Sequence, residues 1–333
     1  MSIRAYAARE AGATLTPFSY DPAPLGPLDV EIAITHCGLC HSDVHLIDND
    51  WGISQYPLVP GHEIVGIVRA QGEQVTSLTV GTRVGVGWQC GSCLQCEACI
   101  RGDERHCPTH QPTCVAHHGG FAEAIRVDGR FAHPIPEALP ADVAAPLLCA
   151  GITVYTPLKS VRPTDRVGVI GVGGLGHLAI RFAAAFGCDV TAFSTTAAKE
   201  DEARRFGARH FVISSDERQL EQATASVDLL VSTVTVPLDW KVWLNIVAPK
   251  GTLWIVGASP GTLDVPPMSL IVGQKAIRGS AIGNRAALRE MLGFAARRQI
   301  AAQAEVMPMS DVNAAVRKVR ENRARYRVVL TND

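Results

Sequence analysis

A chain of 333 residues with 47% hydrophobic and 19% charged side chains has the material for two domains and a large core, which sets it apart from disordered sequences. A formal net charge of −1 and the lack of any long basic run argue against a general electrostatic grip on nucleic acid. The opening MSIRAYAARE has no secretory apolar stretch, and the longest apolar run, 143–155, contains a glycine and is too short to span a bilayer; a cytoplasmic protein without a membrane partner is the expectation.

In chain order, the first third reads as short strands and turns. Residues 30–35 alternate apolar and polar side chains, 63–70 form a second strand candidate, and Pro22-Ala-Pro-Leu-Gly-Pro27 marks loop-rich β structure. The middle third changes rhythm. Residues 166–170 read as a strand, followed by a glycine-rich turn and then by Leu175, Leu178, Ala179, Phe182 and Phe186 at helical spacing over 174–186. Strands at 190–193, 211–213, 228–231 and 252–257, with helical stretches between several of them, predict a doubly wound parallel sheet in an α/β fold. From about residue 284 the pattern is helical again and ends in a strand at 326–330.

Five of the ten cysteines fall between Cys90 and Cys107, and in a reducing compartment such clustering points to metal ligands before disulfides. Cys93, Cys96, Cys99 and Cys107 form C-x2-C-x2-C-x7-C, a set of four thiolates suited to a closed, structural zinc. Spacing alone also allows Cys90, Cys93, Cys96 and Cys99. The glycine loop is the second motif. Gly171-Val-Gly173-Gly174-Leu175-Gly176 places G-x-G-x-x-G between a strand and a helix, where the backbone can turn tightly and bring a pyrophosphate to the helix N-terminus. An acidic residue closing the next strand would bind the ribose diol of NAD. This chain instead has Ser194, Thr195 and Thr196 with Lys199 close by, which fits the 2′-phosphate of NADP, unless Lys199 is simply a solvated residue starting a helix.

CGLCHSDVH (37–45), Gly61-His62-Glu63-x2-Gly66-x5-Gly72-x2-Val75, the four-cysteine loop and the glycine loop appear in an order that resembles the zinc-dependent alcohol dehydrogenases of the medium-chain dehydrogenase/reductase superfamily. Asp50-Trp51-Gly52, SQYPLVPGHE, GVGGLGH and the terminal 324–330 stretch are similar to the cinnamyl-alcohol-dehydrogenase group, especially its bacterial broad-specificity NADP-dependent aldehyde reductases. The resemblance covers nearly the whole chain. It implies a GroES-like, β-rich catalytic domain (1–148 and 284–333) around a Rossmann cofactor domain (149–283), and a homodimer joined through the cofactor sheet's edge near 253–279. It also implies two zinc ions per chain and NADP(H). By family position the structural zinc lies on Cys93, Cys96, Cys99 and Cys107, and the catalytic zinc on Cys40, His62 and Cys149 with a fourth position open. Glu63 lies near that metal, either exchanging with its water or as a salt-bridge partner behind it.

The same resemblance assigns a proton path. Hydride transfer leaves an alkoxide that needs one proton, and Ser42, linked by way of the nicotinamide ribose to His45, supplies it, with Asp50 orienting His45. Many relatives carry threonine at the Ser42 position; the hydroxyl remains, with a less fixed rotamer. His41 is expected to face the cofactor pyrophosphate, and Cys37 to be structural. Thr153, Thr233, Val256 and Ser280 are further cofactor contacts by family position, with Arg325 or Arg327 reaching the pyrophosphate unless both are surface charges. Trp51 and Trp88 are candidate walls of a substrate pocket for aromatic or medium-chain aliphatic aldehydes. The competing readings are an NAD-dependent polyol dehydrogenase and a non-catalytic, zinc-stabilised NADPH sensor; the second has no use for a proton relay.

Overall fold

The structure is a computed structural model that describes residues 2–258 and 261–332. The chain forms two units, one built from residues 1–152 and 282–333 and the other from 153–281. The sequence placed these boundaries at 148/149 and 283/284. Cys149 falls in the first unit because the turn that carries it packs on the strand Glu63–Gln71 and on the helix Arg285–Arg298.

The first unit is organised by one long strand, Asp29–Leu39, whose alternating side chains bury Val30, Ile32 and Ile34. It pairs antiparallel with Glu63–Gln71, with Arg327–Thr331 and with Ala124–Asp128. The register decides the site. Gly38 lies opposite Glu63, and Leu39 opposite Val328. Cys40, Glu63 and Arg327, distant in sequence, therefore leave three neighbouring strands at one end of the sheet.

The second unit is a six-stranded, wholly parallel sheet. Its strands run in the spatial order His210–Ile213, Asp189–Ser194, Arg166–Ile170, Val227–Ser232, Val247–Ile255 and Ala276–Gly279, the doubly wound order with its switch point beside Arg166–Ile170. The strand expected at 252–257 starts earlier and stops sooner, at Val247–Ile255. Val256 and Gly257 leave the ladder with the next strand because both their N–H groups turn to the Ser232 carbonyl. The sequence reading did not resolve the edge strand Ala276–Gly279, which is only partly buried and lacks a strong alternation.

The apolar run at 143–155 belongs to an 18-residue helical stretch, Ala141–Leu158, long and apolar enough to cross a membrane but 78% buried within the protein. Core packing accounts for its apolar character. Its middle, Leu147–Gly151, is a π turn, an insertion that rotates side chains away from the α-helical phase.

Candidate active site

Cys40 follows the long strand directly and caps the helix His41–Asp48. Glu63 opens the neighbouring strand, His62 immediately precedes it, and Cys149 comes from the π turn. Their ligand atoms all lie within 4.8 Å of one another. Gly38 is what admits the carboxylate: a Cβ there would sit 2.0 Å from Glu63 Oε2. Among the described residues, the geometry of this cluster leaves His62 Nε2 and Glu63 Oε2 buried without partners. Buried polar atoms are rarely left so, and two thiols facing an open imidazole nitrogen fit a zinc with three protein ligands. The contact with Cys149 holds the Cys40 thiol well below its ordinary range, and the same contact pushes Cys149 well above it.

Asp43 is the residue the sequence reading missed. It is fully buried on the helix His41–Asp48. Its Oδ1 accepts from His62 Nδ1 and from the Gly61 N–H, both at 2.9 Å, and its Oδ2 from the Cys40 N–H, also at 2.9 Å. One carboxylate thus fixes the backbone of one ligand and the ring orientation of another, and directs His62 Nε2 into the cluster. Burial opposes charging of His62, but the Asp43 carboxylate, through its charge and its hydrogen bond, overcomes it and holds the His62 pKa well above the ordinary value. Within CGLCHSDVH the aspartate was legible; its partners, 18 and 19 residues further on, were not.

Glu63 is paired with Arg327, and both are buried. Burial lifts the Glu63 carboxyl to about 7 against the pull of Arg327, whereas Arg327 is raised, burial notwithstanding, by the charge of Glu63. These directions pull against each other; the direct guanidinium–carboxylate contact decides for the ion pair. Arg327 is therefore no surface charge. Arg325, by contrast, is exposed, with its backbone N–H on Glu305 Oε1 at 2.7 Å.

The proposed relay residues share the same helix. Ser42 Oγ lies 3.6 Å from Cys40 Sγ. His45 Nδ1 lies 2.6 Å from Asp50 Oδ2, and its Nε2 is buried without a partner among the described residues. His41 is half-buried with its ring 5.8 Å from that of His45. An aromatic wall runs beside them: Trp51 lies 5.3 Å from His45, Trp88 meets Trp51 edge-on at 6.0 Å, and Trp88 meets His62 edge-on at 5.0 Å. Cys37 is buried and packs against Gly61 and Gly120.

Cys93, Cys96, Cys99 and Cys107 converge within 4.8 Å, and none of the ten cysteines is in a disulfide. The Cys93–Cys99 and Cys93–Cys107 sulfur separations, 3.9 and 3.5 Å, are close to the roughly 3.8 Å edge of a tetrahedron with zinc–sulfur bonds. Cys90 stands outside this set. Its thiol contacts the Gln111 carbonyl at 3.5 Å and is pushed up to about 12 by burial.

In the second unit Gly171 has φ +91°, and a Cβ on Gly176 would lie 1.8 Å from the Gly171 carbonyl oxygen, so the loop requires glycine at both. Around Gly173 there is open space, with Gly174 and Leu175 leading into the helix Gly176–Ala185. Thr233 Oγ1 donates to the Ile170 carbonyl at 2.8 Å at the foot of the loop. Ser194 closes its strand and is buried, while Thr195 and Thr196 are exposed. Lys199 lies 3.7 Å from Glu202. Ser280 donates its N–H to the Ile255 carbonyl, and Thr153 is buried.

Residues 26–137 match the alcohol dehydrogenase GroES-like domain and residues 174–297 the zinc-binding dehydrogenase family. The chain is 42% identical to the aldehyde reductase AdhA of Synechocystis over 332 residues, covering 99% of each protein. It belongs to the zinc-dependent medium-chain alcohol dehydrogenases, in their cinnamyl-alcohol-dehydrogenase group. As a member of that group it interconverts alcohols and aldehydes. A cinnamyl alcohol dehydrogenase of Sorghum bicolor superposes with a TM-score of 0.96 at 39% identity, covering 99% of this chain and 98% of that one. The corresponding enzyme of Helicobacter pylori, solved with NADP(H), superposes at 0.93 with 31% identity and the same coverage.

Proposed function

We propose that this dehydrogenase works as an NADP(H)-dependent aldehyde reductase for aromatic and medium-chain aliphatic aldehydes, with Cys40, His62 and Cys149 holding the catalytic zinc. The observation that carries the assignment is the convergence of those three ligand atoms around an imidazole nitrogen that Asp43 leaves open. Cys93, Cys96, Cys99 and Cys107 hold the structural zinc. The discontinuous unit carries both metals and the central unit carries the nucleotide, with Gly171–Gly176 cradling the pyrophosphate and Ser194, Thr195, Thr196 and Lys199 receiving the 2′-phosphate. The absence of a carboxylate at the end of Asp189–Ser194 and the NADP(H) bound by the Helicobacter relative support that choice.

When bound, zinc supplies Lewis acidity to the carbonyl and NADPH the hydride. The chain's own residues manage the proton. Ser42 donates its hydroxyl hydrogen to the reacting oxygen, and His45, its Nδ1 fixed on Asp50, replenishes that proton from Nε2. Trp51 and Trp88 exclude water and offer flat apolar faces to the substrate. Replacing His45 by phenylalanine is expected to lower kcat for aldehyde reduction by about 100-fold, the usual scale of lost acid–base catalysis, and Asp50→Asn to lower it less, in the same direction. Pre-steady-state rates with unchanged NADPH binding would check this.

We also propose a homodimer formed on the edge strand Ala276–Gly279 and the exposed Leu263, Met268, Ile271 and Val272, in a cytoplasm that keeps the thiols reduced. The deciding experiment is the initial rate of NADPH and NADH oxidation with butanal and with cinnamaldehyde, on protein of measured zinc content. NADPH-selective turnover is expected; silence with both aldehydes on zinc-replete protein would refute the reading.

A further inference from the structure

The four-cysteine loop contains a turn with a role beyond the loop itself. Glu104–His106 is a single helical turn just before Cys107, and Glu104 is buried. A buried carboxylate needs partners, and this one finds them outside its own loop. Its Oε1 accepts from the Arg285 backbone N–H at 2.8 Å and from Arg285 Nε at 2.7 Å. The Glu104 carbonyl accepts from Gln89 Nε2 at 2.9 Å. The next residue, Arg105, donates through Nη1 to the Ile282 carbonyl at 2.6 Å. One turn is thus tied to two segments, 87–89 and 282–285, nearly two hundred positions apart in the numbering.

Both segments line the same cavity, together with Phe131, His133, Leu148 and Leu288. The cavity touches Trp88, which lies edge-on to His62, and Leu148, which precedes Cys149. Arg285 also lies over the Phe131 ring at 5.1 Å, and it opens the helix Arg285–Arg298, which Asn284 caps through Ala287 N–H at 2.7 Å. A closed tetrathiolate makes the turn next to Cys107 a fixed point. A charge-assisted contact from that point to both the backbone and the side chain of Arg285 keeps the helix start from drifting.

We propose that Glu104 is a positioning residue, through which the four-cysteine site sets the spacing of the cavity walls behind Trp88 and so biases the enzyme toward particular aldehydes. This rests on Trp88 as a wall of the substrate pocket, as proposed above.

The test compares wild type with Glu104→Gln, which keeps the size of the side chain and loses its charge. Zinc is measured first and is expected to stay at two per chain. Without substrate, hydrogen–deuterium exchange over residues 282–288 is expected to accelerate by about tenfold, the scale of one lost charge-assisted hydrogen bond. With substrate, KM for cinnamaldehyde is expected to rise about tenfold while butanal, which reaches fewer walls, changes less than about twofold. Unchanged exchange together with unchanged KM values would overturn the proposal. So would an equal loss with both aldehydes, which marks a general effect on the fold. Should Glu104→Gln not fold, Arg285→Lys keeps the backbone contact and removes the Nε contact, and must shift the same two readouts in the same direction by a smaller factor. Wild type inactive with both aldehydes would instead sink the aldehyde reductase and the aldehyde bias with it, and the exchange measurement would then decide only whether Glu104 positions the start of the helix.

Discussion

Alanine in place of Asp43 is expected to empty the catalytic zinc site while the four-cysteine site stays loaded, so that zinc falls from two per chain toward one. Loss of a carboxylate behind a metal-ligating histidine costs about 10- to 100-fold in affinity or activity as a rule, and the upper end is expected here. The reason is that three donors depend on one side chain: the Cys40 N–H, the Gly61 N–H and His62 Nδ1. Asp43 and His62 have no exposed surface, so water cannot step in. Each donor left unpaired costs about 1–3 kcal/mol, so the melting temperature should fall as well. Asp43→Asn keeps one accepting oxygen but turns an NH2 group toward another donor, and should fall between wild type and alanine. Metal analysis together with thermal melts checks the order. An alanine variant that keeps two zinc ions and its kcat/KM would show that the two thiols and the imidazole hold the metal without help.

The division between what was legible in the sequence and what was not follows the distance over which each constraint acts. The loop Gly171–Gly176 and the thiolates from Cys93 to Cys107 are local: neighbours in sequence serve one ligand, so spacing carries the chemistry. Even there, spacing left Cys90 in contention until the fold turned its thiol toward Gln111. Cys149 had no local signal, because its placement depends on a π turn inside a mostly buried helical stretch. The pairing of Arg327 with Glu63 had none either. Strand register sets it, since Val328 opposite Leu39 brings Arg327 to the Glu63 end of the sheet, while Arg325 lies before the strand begins. Asp43 was visible within its motif but silent about its role, because two of its three partners, Gly61 and His62, come from the segment just before the adjoining strand.

Arg327→Met is expected to destabilise the protein by about 3–5 kcal/mol, the cost of stripping one partner from a buried ion pair. Arg327 is held between the Glu63 carboxylate and the charges of Cys40 and Cys149. With the proposed zinc held by Cys40, His62 and Cys149, two thiolates and one carboxylate would face a dication and a guanidinium, and the charges would balance. Without Arg327 the site is one unit more negative, which opposes the growth of negative charge on the reacting oxygen. Aldehyde reduction should therefore slow even in the fraction that stays folded. Removing the stranded carboxylate as well tests the cause. Glu63→Gln with Arg327→Met leaves no buried charge in that pair, so the double variant should melt above the Arg327→Met single variant. Stability that falls further in the double variant would mean that Arg327 acts by packing against the end of the sheet. A single variant that melts like wild type would mean that Glu63 is already neutral in its burial, and that the guanidinium adds nothing to the site.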